Sequence, residues 1–505
     1  MPEGWLPLGT PMTPGIFIKT EPSVRACRLA FRLLVLSSLV LYAADARAQK
    51  LGIQGDRFTV DGAPKFLTFV TYFGGMGAPN VIADLHLMKT LGFDGFRIWP
   101  LLDTGPQILN GDGSLRAGEM THFLSILDQA KQERLIVDVT FTHEHIAGLT
   151  PANTRVGLAN VASAMRSYEN VLIDIQNERN VQDRRFLSEP DIVSIYQAIK
   201  AVDPARIVGC SEARGDAAGP ATGASFVARL GLDVTMFHET RSSDWYTSPV
   251  QRYVISALRT NGKPAYMQEP MTTRDTFFFY PSHDRAEYFL QAIANAKLAG
   301  AAGWTFHTEV GVDFRTGAPF FEDRLREYPE PEWAFVNSLK PRVVLRTNNG
   351  VNYLVAEGGG GGGVRADRSA GGPGSWEIFD VADLAGGPLI SGDHVSLGTA
   401  DGKHYLQAVG GGGGQLRASS DSVGSLETFT IEKPGGGVIR HGDSVALRAG
   451  DSSWYVSAES GGGSNTSVTG TARGAFETFT IVFVTPHSTA ASSGASVRGA
   501  SGAQR

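Results

Sequence analysis

Val171-Leu-Ile-Asp-Ile-Gln-Asn-Glu178 begins as a near-continuous apolar run and stops on two strongly polar side chains. A strand with one face in water alternates apolar and polar residues. This one does not, so both of its faces are expected to be buried, as in a parallel sheet covered by helices. Seven more runs share its character: Phe66–Tyr72, Gly95–Trp99, Leu135–Phe141, Arg206–Cys210, Asp233–Phe237, Pro264–Met267 and Gly303–Phe306. Helix-like segments lie between them, among them Val81–Leu91, His122–Gln132, Asp191–Val202 and Arg285–Leu298, with an eighth expected at Glu322–Leu339. Eight such alternations between residues 49 and 340 predict an α/β fold of the (β/α)8 TIM-barrel type. A doubly wound sheet would want a glycine-rich phosphate turn after an early strand, and Phe73-Gly-Gly-Met-Gly-Ala78 lacks that spacing.

In such a barrel the chemistry sits where strands end, because the following loops build the active face. The polar residues at those ends are Arg97, His143, His145, Asn177, Glu178, Glu212, His238, Glu269, Trp304 and His307. Two carboxylates from facing strands can bracket a glycosidic bond, one as nucleophile and the other as acid and then base. Glu178 and Glu269 are the candidate pair, with Glu239 and Glu309 as rivals to Glu269.

Ile173-Asp-Ile-Gln-Asn-Glu178 resembles the strand-four Asn-Glu motif of clan A retaining glycoside hydrolases, the cellulase and β-mannanase group of family 5. The resemblance implies that Glu178 is the acid/base and that Asn177 contacts the sugar 2-hydroxyl. Pro264-Ala-Tyr-Met-Gln-Glu269 looks like the nucleophile strand, and Arg97 resembles the arginine that steadies it. His238 matches the strand-six His/Tyr position and Trp304 the strand-eight sugar platform, while His143 is expected to face substrate. Hydrolysis of a β-linked glucan or mannan with retention, needing no cofactor, is what the resemblance implies.

Two other chemistries fit the same residues. His143, His145 and His238 with a carboxylate could hold a metal for a metal-dependent hydrolase. Alternatively, the barrel could be an inactive carbohydrate-binding protein. The balance of the chain favours neither nucleic acid nor a charged polymer: formal charge is −6, with 19% charged residues and no long basic run. The expected partner is a poly- or oligosaccharide, and the expected state is a monomer.

The first 48 residues read as a signal peptide. Arg25, Arg28 and Arg32 precede an apolar run from Leu33 to Ala44, and Ala46-Arg47-Ala48 supplies the small-x-small cleavage pattern. Export without a retained membrane anchor is the expectation. Of the two cysteines, Cys27 falls in this leader, so Cys210 has no disulfide partner and is expected as a buried strand residue.

Near Lys340 glycine takes over and a repeat begins. Tyr353, Tyr405 and Tyr455 recur about every fifty residues, as do Glu377, Glu427 and Glu477. No single unit could bury its own apolar face, so three units imply a closed all-β assembly. The Tyr-Leu-x-Ala-Glu-Gly-Gly pattern resembles fascin-like β-trefoil modules, over 341–484. That implies carbohydrate binding, for which Trp454 is the better candidate aromatic and Trp376, which interchanges with Leu426 and Phe476 as a core hydrophobe would, the second. A disordered tail is expected over 485–505.

Overall fold

The computed structural model describes residues 49–101, 106–142, 146–183, 186–213, 221–238, 245–270, 286–307, 338–369 and 373–484. The expected leader, the tail, His143, His145, Glu239, Glu309 and nearly all of the helix expected at 322–339 lie outside the described residues.

A small antiparallel sheet comes first: β1 (Leu51–Gln54), β2 (Arg57–Val60) and β3 (Ala63–Pro64). Its Leu51 and Phe58 pack on Leu67, Ile136, Leu172, Ile207 and Val234, residues at or near the starts of barrel strands, and so plug the barrel floor. The barrel strands are β4 (Leu67–Thr71), β5 (Gly95–Ile98), β6 (Ile136–Thr140), β7 (Val171–Asp174), β8 (Ile207–Gly209), β9 (Thr235–His238), β10 (Ala265–Glu269) and β11 (Gly303–Phe306). They form one parallel eight-stranded sheet in the order β8-β7-β6-β5-β4-β11-β10-β9. A parallel bridge between Glu212 and Phe237 joins its two ends. All eight predicted runs are therefore strands.

Seven described helices follow the strands: α1 (Val81–Thr90), α2 (Ala117–Gln132), α3 (Pro151–Ala164), α4 (Glu189–Val202), α5 (Ala221–Leu230), α6 (Ser248–Asn261) and α7 (Ala286–Ala299). Local chemistry sets their ends. Thr150 caps α3 by accepting from Asn153 N, with proline at the first turn where no N–H is needed. Ser188 and Asp191 form a reciprocal capping box on α4, which therefore begins two residues before the predicted Asp191. Strand residues of one parity (Phe96, Ile98, Val137, Val139, Ile173) join helix side chains in the main core. Those of the other parity (Arg97, Asp138, Asp174) point into the barrel. No helix among the described residues is long and apolar enough to cross a membrane.

The glycine-rich region forms twelve antiparallel strands around a core of its own. They are β12 (Arg342–Thr347), β13 (Tyr353–Ala356), β14 (Gly362–Arg368), β15 (Ile378–Asp383), β16 (His394–Gly398), β17 (Tyr405–Ala408), β18 (Gly414–Ser420), β19 (Phe429–Glu432), β20 (Ser444–Ala449), β21 (Tyr455–Ala458), β22 (Ser464–Gly470) and β23 (Phe479–Val484). Pairings β12·β15, β15·β16, β16·β19, β19·β20, β20·β23 and β23·β12 close a six-stranded ring. The hairpins β13–β14, β17–β18 and β21–β22 meet through mutual pairing of β14, β18 and β22. The repeated glutamates are structural. Gly424 N donates to Glu427 Oε2 (2.9 Å) and Gly474 N to Glu477 Oε2 (3.0 Å), closing the same Gly-x-x-Glu turn in two repeats.

This β-domain docks at the strand-start end of the barrel. Phe66 N, just before β4, donates to Ala385 O (2.8 Å). Lys297, near the end of α7, pairs with Asp383 and lies 2.8 Å from Asp393 Oδ2. Ala294, Ile390 and Val438 bury one another beside it.

Candidate active site

Parity along the strands decides which side chains meet in the barrel mouth. On β5 it sends Arg97 inward, fully buried, beside its register partner Asp138 on β6. An unpaired guanidinium there would be prohibitively costly, and it is paired on every side. Nη1 donates to Glu269 Oε1, Nη2 to Asn177 Oδ1 (2.8 Å) and Nε to Thr140 Oγ1 (2.8 Å). Asp138 Oδ2 lies 3.8 Å from Nε, and Asp174 Oδ2 lies 3.5 Å from Nη2. Arg97 thus meets both the partner that the resemblance implies and the buried carboxylate Asp138.

Glu269 reaches the mouth through an irregularity. The β9–β10 register pairs Met267 with Phe237 and then Glu269 with His238, so one extra residue, Gln268, is inserted on β10. A bulge of this kind re-aims the side chains that follow it. Gln268 and Glu269, although consecutive, both turn toward His238. His238 Nε2 lies 2.9 Å from Gln268 Oε1, and its Nδ1 lies 3.3 Å from Glu269 Oε2 and 3.4 Å from Glu178 Oε1.

Glu178 follows β7 in the left-handed region, at φ 51°. A non-glycine residue there costs roughly 1–3 kcal/mol unless its surroundings hold it. They do: Glu178 N donates to Ser211 Oγ (3.1 Å), and Ser211 N donates to Asp174 Oδ1 (2.9 Å). An oxygen of Glu178, one of Glu269 and a nitrogen of His238 all lie within 4.8 Å of one another. The three could sterically surround a cation, but the charge of Glu269 is already met by Arg97 and His238. The wider metal set read from the sequence needs His143 and His145, outside the described residues.

The electrostatics are asymmetric. Burial alone would raise the Glu269 carboxyl, but His238, Arg97 and His307 outweigh it and hold Glu269 well below the usual carboxylate range. Burial works against a charged His238, and the neighbouring Glu269 and Glu178 carboxylates overcome it, so its pKa is raised. Burial pushes Asp138 up to about 6 against the pull of Arg97. Glu178 is the more open of the two glutamates, with its side chain 23% exposed against 9% for Glu269.

Trp304 departs from the expectation. It is fully buried and belongs to the core between strands and helices, so it offers no ring face to a sugar. The reason is parity: Thr305 points inward, bonding Tyr266 Oη (2.8 Å), so Trp304 points outward. Two residues on from Thr305, His307 stands with Nε2 3.9 Å from Glu269 Oε2. Phe73 meets His307 edge-on (5.9 Å) and stacks on Trp99 (4.2 Å), whose other neighbour is the Arg97 guanidinium (4.4 Å). Phe73, Trp99, Gln268 and Ser211 were not among the residues expected at the site. Glu212 pairs with Arg179 and is structural, and Cys210 is buried with its thiol pushed up by that burial.

In the β-domain, Trp376 is 38% exposed, with the Arg368 guanidinium 5.2 Å from its ring. Trp454 is partly buried and lies across Gly412, whose φ of 129° and lack of a side chain permit that contact.

No family model matches this sequence, and no curated protein matches it. Solved structures do resemble it. One is a glycoside hydrolase family 5 protein from Bacteroides vulgatus (13% identity, 71% of this chain and 82% of that one, TM-score 0.46). Another is a β-mannanase from the blue mussel Mytilus edulis (16% identity, 56% and 95%, TM-score 0.39). A third is an endo-1,4-beta-mannanase from Eisenia fetida (14% identity, 55% and 94%, TM-score 0.40).

Proposed function

We propose that this chain is an exported retaining glycoside hydrolase that cleaves a β-linked glucan or mannan by double displacement. One observation carries the reading: Glu178, just beyond β7, and Glu269, at the end of β10, each bring one oxygen within 4.8 Å of the other in the barrel mouth. Retention calls for carboxyl groups about 5–5.5 Å apart, whereas an inverting pair leaves about 6.5–9.5 Å for a water. Glu269, paired with Arg97 and held ionised, suits attack on the anomeric carbon. Glu178, more open to solvent, suits proton donation to the departing oxygen and then proton removal from water. Asn177, fixed by Arg97, is offered to the sugar that Glu269 attacks.

The closed ring of six strands with three hairpins supports a β-trefoil for the second domain. We assign it polysaccharide binding, with exposed Trp376 favoured over Trp454. The test is incubation with β-glucans and β-mannans, following the anomeric proton of the first product by NMR. Release of the β-anomer supports the reading; an α-anomer first, or no cleavage of any glycan in the panel, defeats it.

A further inference from the structure

The hydrogen bonds around His238 assign its protons. Asp138 Oδ2 accepts from Tyr266 Oη (3.0 Å) and from Gln268 Nε2 (2.9 Å). Asp138, though pushed up to about 6, is ionised at neutral pH and cannot donate there, so the Gln268 amide presents Nε2 to Asp138 and Oε1 to His238. Oε1 can only accept, so His238 Nε2, 2.9 Å away, must carry a hydrogen. The other ring nitrogen, Nδ1, lies between Glu269 Oε2 and Glu178 Oε1 at 3.3 and 3.4 Å. With both glutamates ionised, a neutral ring would aim a lone pair at two anions. A second proton on Nδ1 removes that repulsion.

We propose that Gln268 is a positioning residue that locks His238 in its Nε2–H form, so that Nδ1 and Glu178 hold one shared, transferable proton. This rests on the glycoside hydrolase reading, in which Glu178 must be protonated when the glycosidic oxygen departs. Among the described residues, the charged groups facing the ring are Glu178, Glu269, Arg97 and Asp174, with His307 and Asp138 one contact further away. When Glu178 gives the shared proton to the leaving oxygen, the ring is left neutral with its hydrogen on Nε2, and Glu269, esterified in the same step, no longer sets its negative charge against Nδ1. Glu178 is then free to take a proton from the attacking water in the second half-reaction. The raised pKa of His238 agrees with this geometry. Proton loss from such a group belongs to the Glu178–His238 pair and not to either residue alone.

Without the Gln268 acceptor, a neutral ring could place its single proton on Nδ1 and satisfy both carboxylates. The deprotonated site is then stabilised and the shared proton leaves at lower pH. In Gln268→Leu the alkaline limb of kcat/KM, measured on an oligosaccharide that the wild type cleaves, should move down by about one pH unit. Gln268→Glu, donating its carboxylic hydrogen to Asp138 while its carbonyl accepts from Nε2–H, should restore the limb. A uniform loss of rate in Gln268→Leu with the limb unmoved would overturn the proposal. Independently, 15N spectra of imidazole-labelled wild-type protein should show His238 Nε2 protonated throughout its titration. Finding a neutral Nδ1–H form instead would overturn it even if Gln268→Leu does not fold. That spectrum needs no substrate, so failure of the lock is told apart from failure of the hydrolase reading.

Discussion

Arg97 lies wholly inside the barrel with one guanidinium nitrogen on Glu269 and the other on Asn177. A single cation therefore fixes both the candidate nucleophile and the amide that would read the neighbouring hydroxyl. Lysine supplies one point charge in place of a planar fork. Arg97→Lys should lower kcat/KM by roughly 10²–10³. Arg97→Met should also cost about 3–5 kcal/mol in chemical denaturation, because Asp138 and Asp174 are left buried without their cation. Near-wild-type kinetics in Arg97→Lys would show that Glu269 does not depend on the fork.

The two carboxylates should separate by leaving group. Glu178→Gln should lose turnover on natural glycan while an activated aryl glycoside still reacts in part, since an acidic leaving group needs little protonation. Glu269→Ala should lose both activities, and azide should restore aryl-glycoside cleavage with an inverted glycosyl azide as product. Full activity of Glu269→Ala without azide would move the nucleophile elsewhere.

The acid side of the pH profile follows from the depressed Glu269 pKa. Its ordinary value is 4.5, and its folded value lies well below that. A depressed carboxyl contributes stability that is present above the unfolded value and is lost as pH falls through the folded one. Both the acid limb of kcat/KM and the Glu269 share of acid destabilisation should therefore lie well below pH 4.5. In Arg97→Lys the limb should climb toward it. A wild-type acid limb centred at or above 4.5 contradicts this placement.

Lys297 separates two aspartates of the β-domain from each other. Lys297→Ala leaves Asp383 and Asp393 together in a buried seam, at a cost of about 3 kcal/mol. Ending the chain after Lys340 should lower the barrel's Tm, because Phe66 and Ala294 lose their cover. The sequence alone implies that the two parts fold separately, each with a complete core. A truncated barrel with unchanged Tm would restore that expectation.

Polysaccharide retention should depend on Trp376 more than on Trp454. Trp376 presents an exposed ring, whereas Trp454 covers Gly412 and packs on the domain core. Trp376→Ala should weaken pull-down on insoluble polymer at unchanged Tm, and Trp454→Ala should chiefly lower Tm. Equal binding by both variants would remove Trp376 from the polymer contact.

The strands were legible because burial on both faces leaves near-continuous apolar runs such as Val171–Ile175, interrupted by Asp174 alone, and Glu178 because it follows one of them. Trp304 was misread because residue type outweighed position. Counting alternate residues from Thr305 would have chosen His307. Gln268 was less accessible: in an ideal strand it and Glu269 face opposite ways, and only the bulge brings them to one histidine. The seam between the domains left no sequence signal, because Lys297 and Asp383 are ordinary surface residue types far apart in the chain.

The inserted residue on β10 also shapes how this site can drift. Substitution changes what a side chain is but leaves where it points, and the aim of Glu269 is fixed by chain length. A one-residue change of length between Met267 and Glu269, by deletion or insertion, would swing the carboxylate out of the mouth, because side chains alternate faces along a strand. The strand face that presents the candidate nucleophile is thereby insulated from point mutation, while its final placement still depends on Arg97. Gln268, one step behind it and aimed at the same ring, can change without altering that aim, so the proposed proton sharing at His238 is open to retuning with the candidate nucleophile left in place.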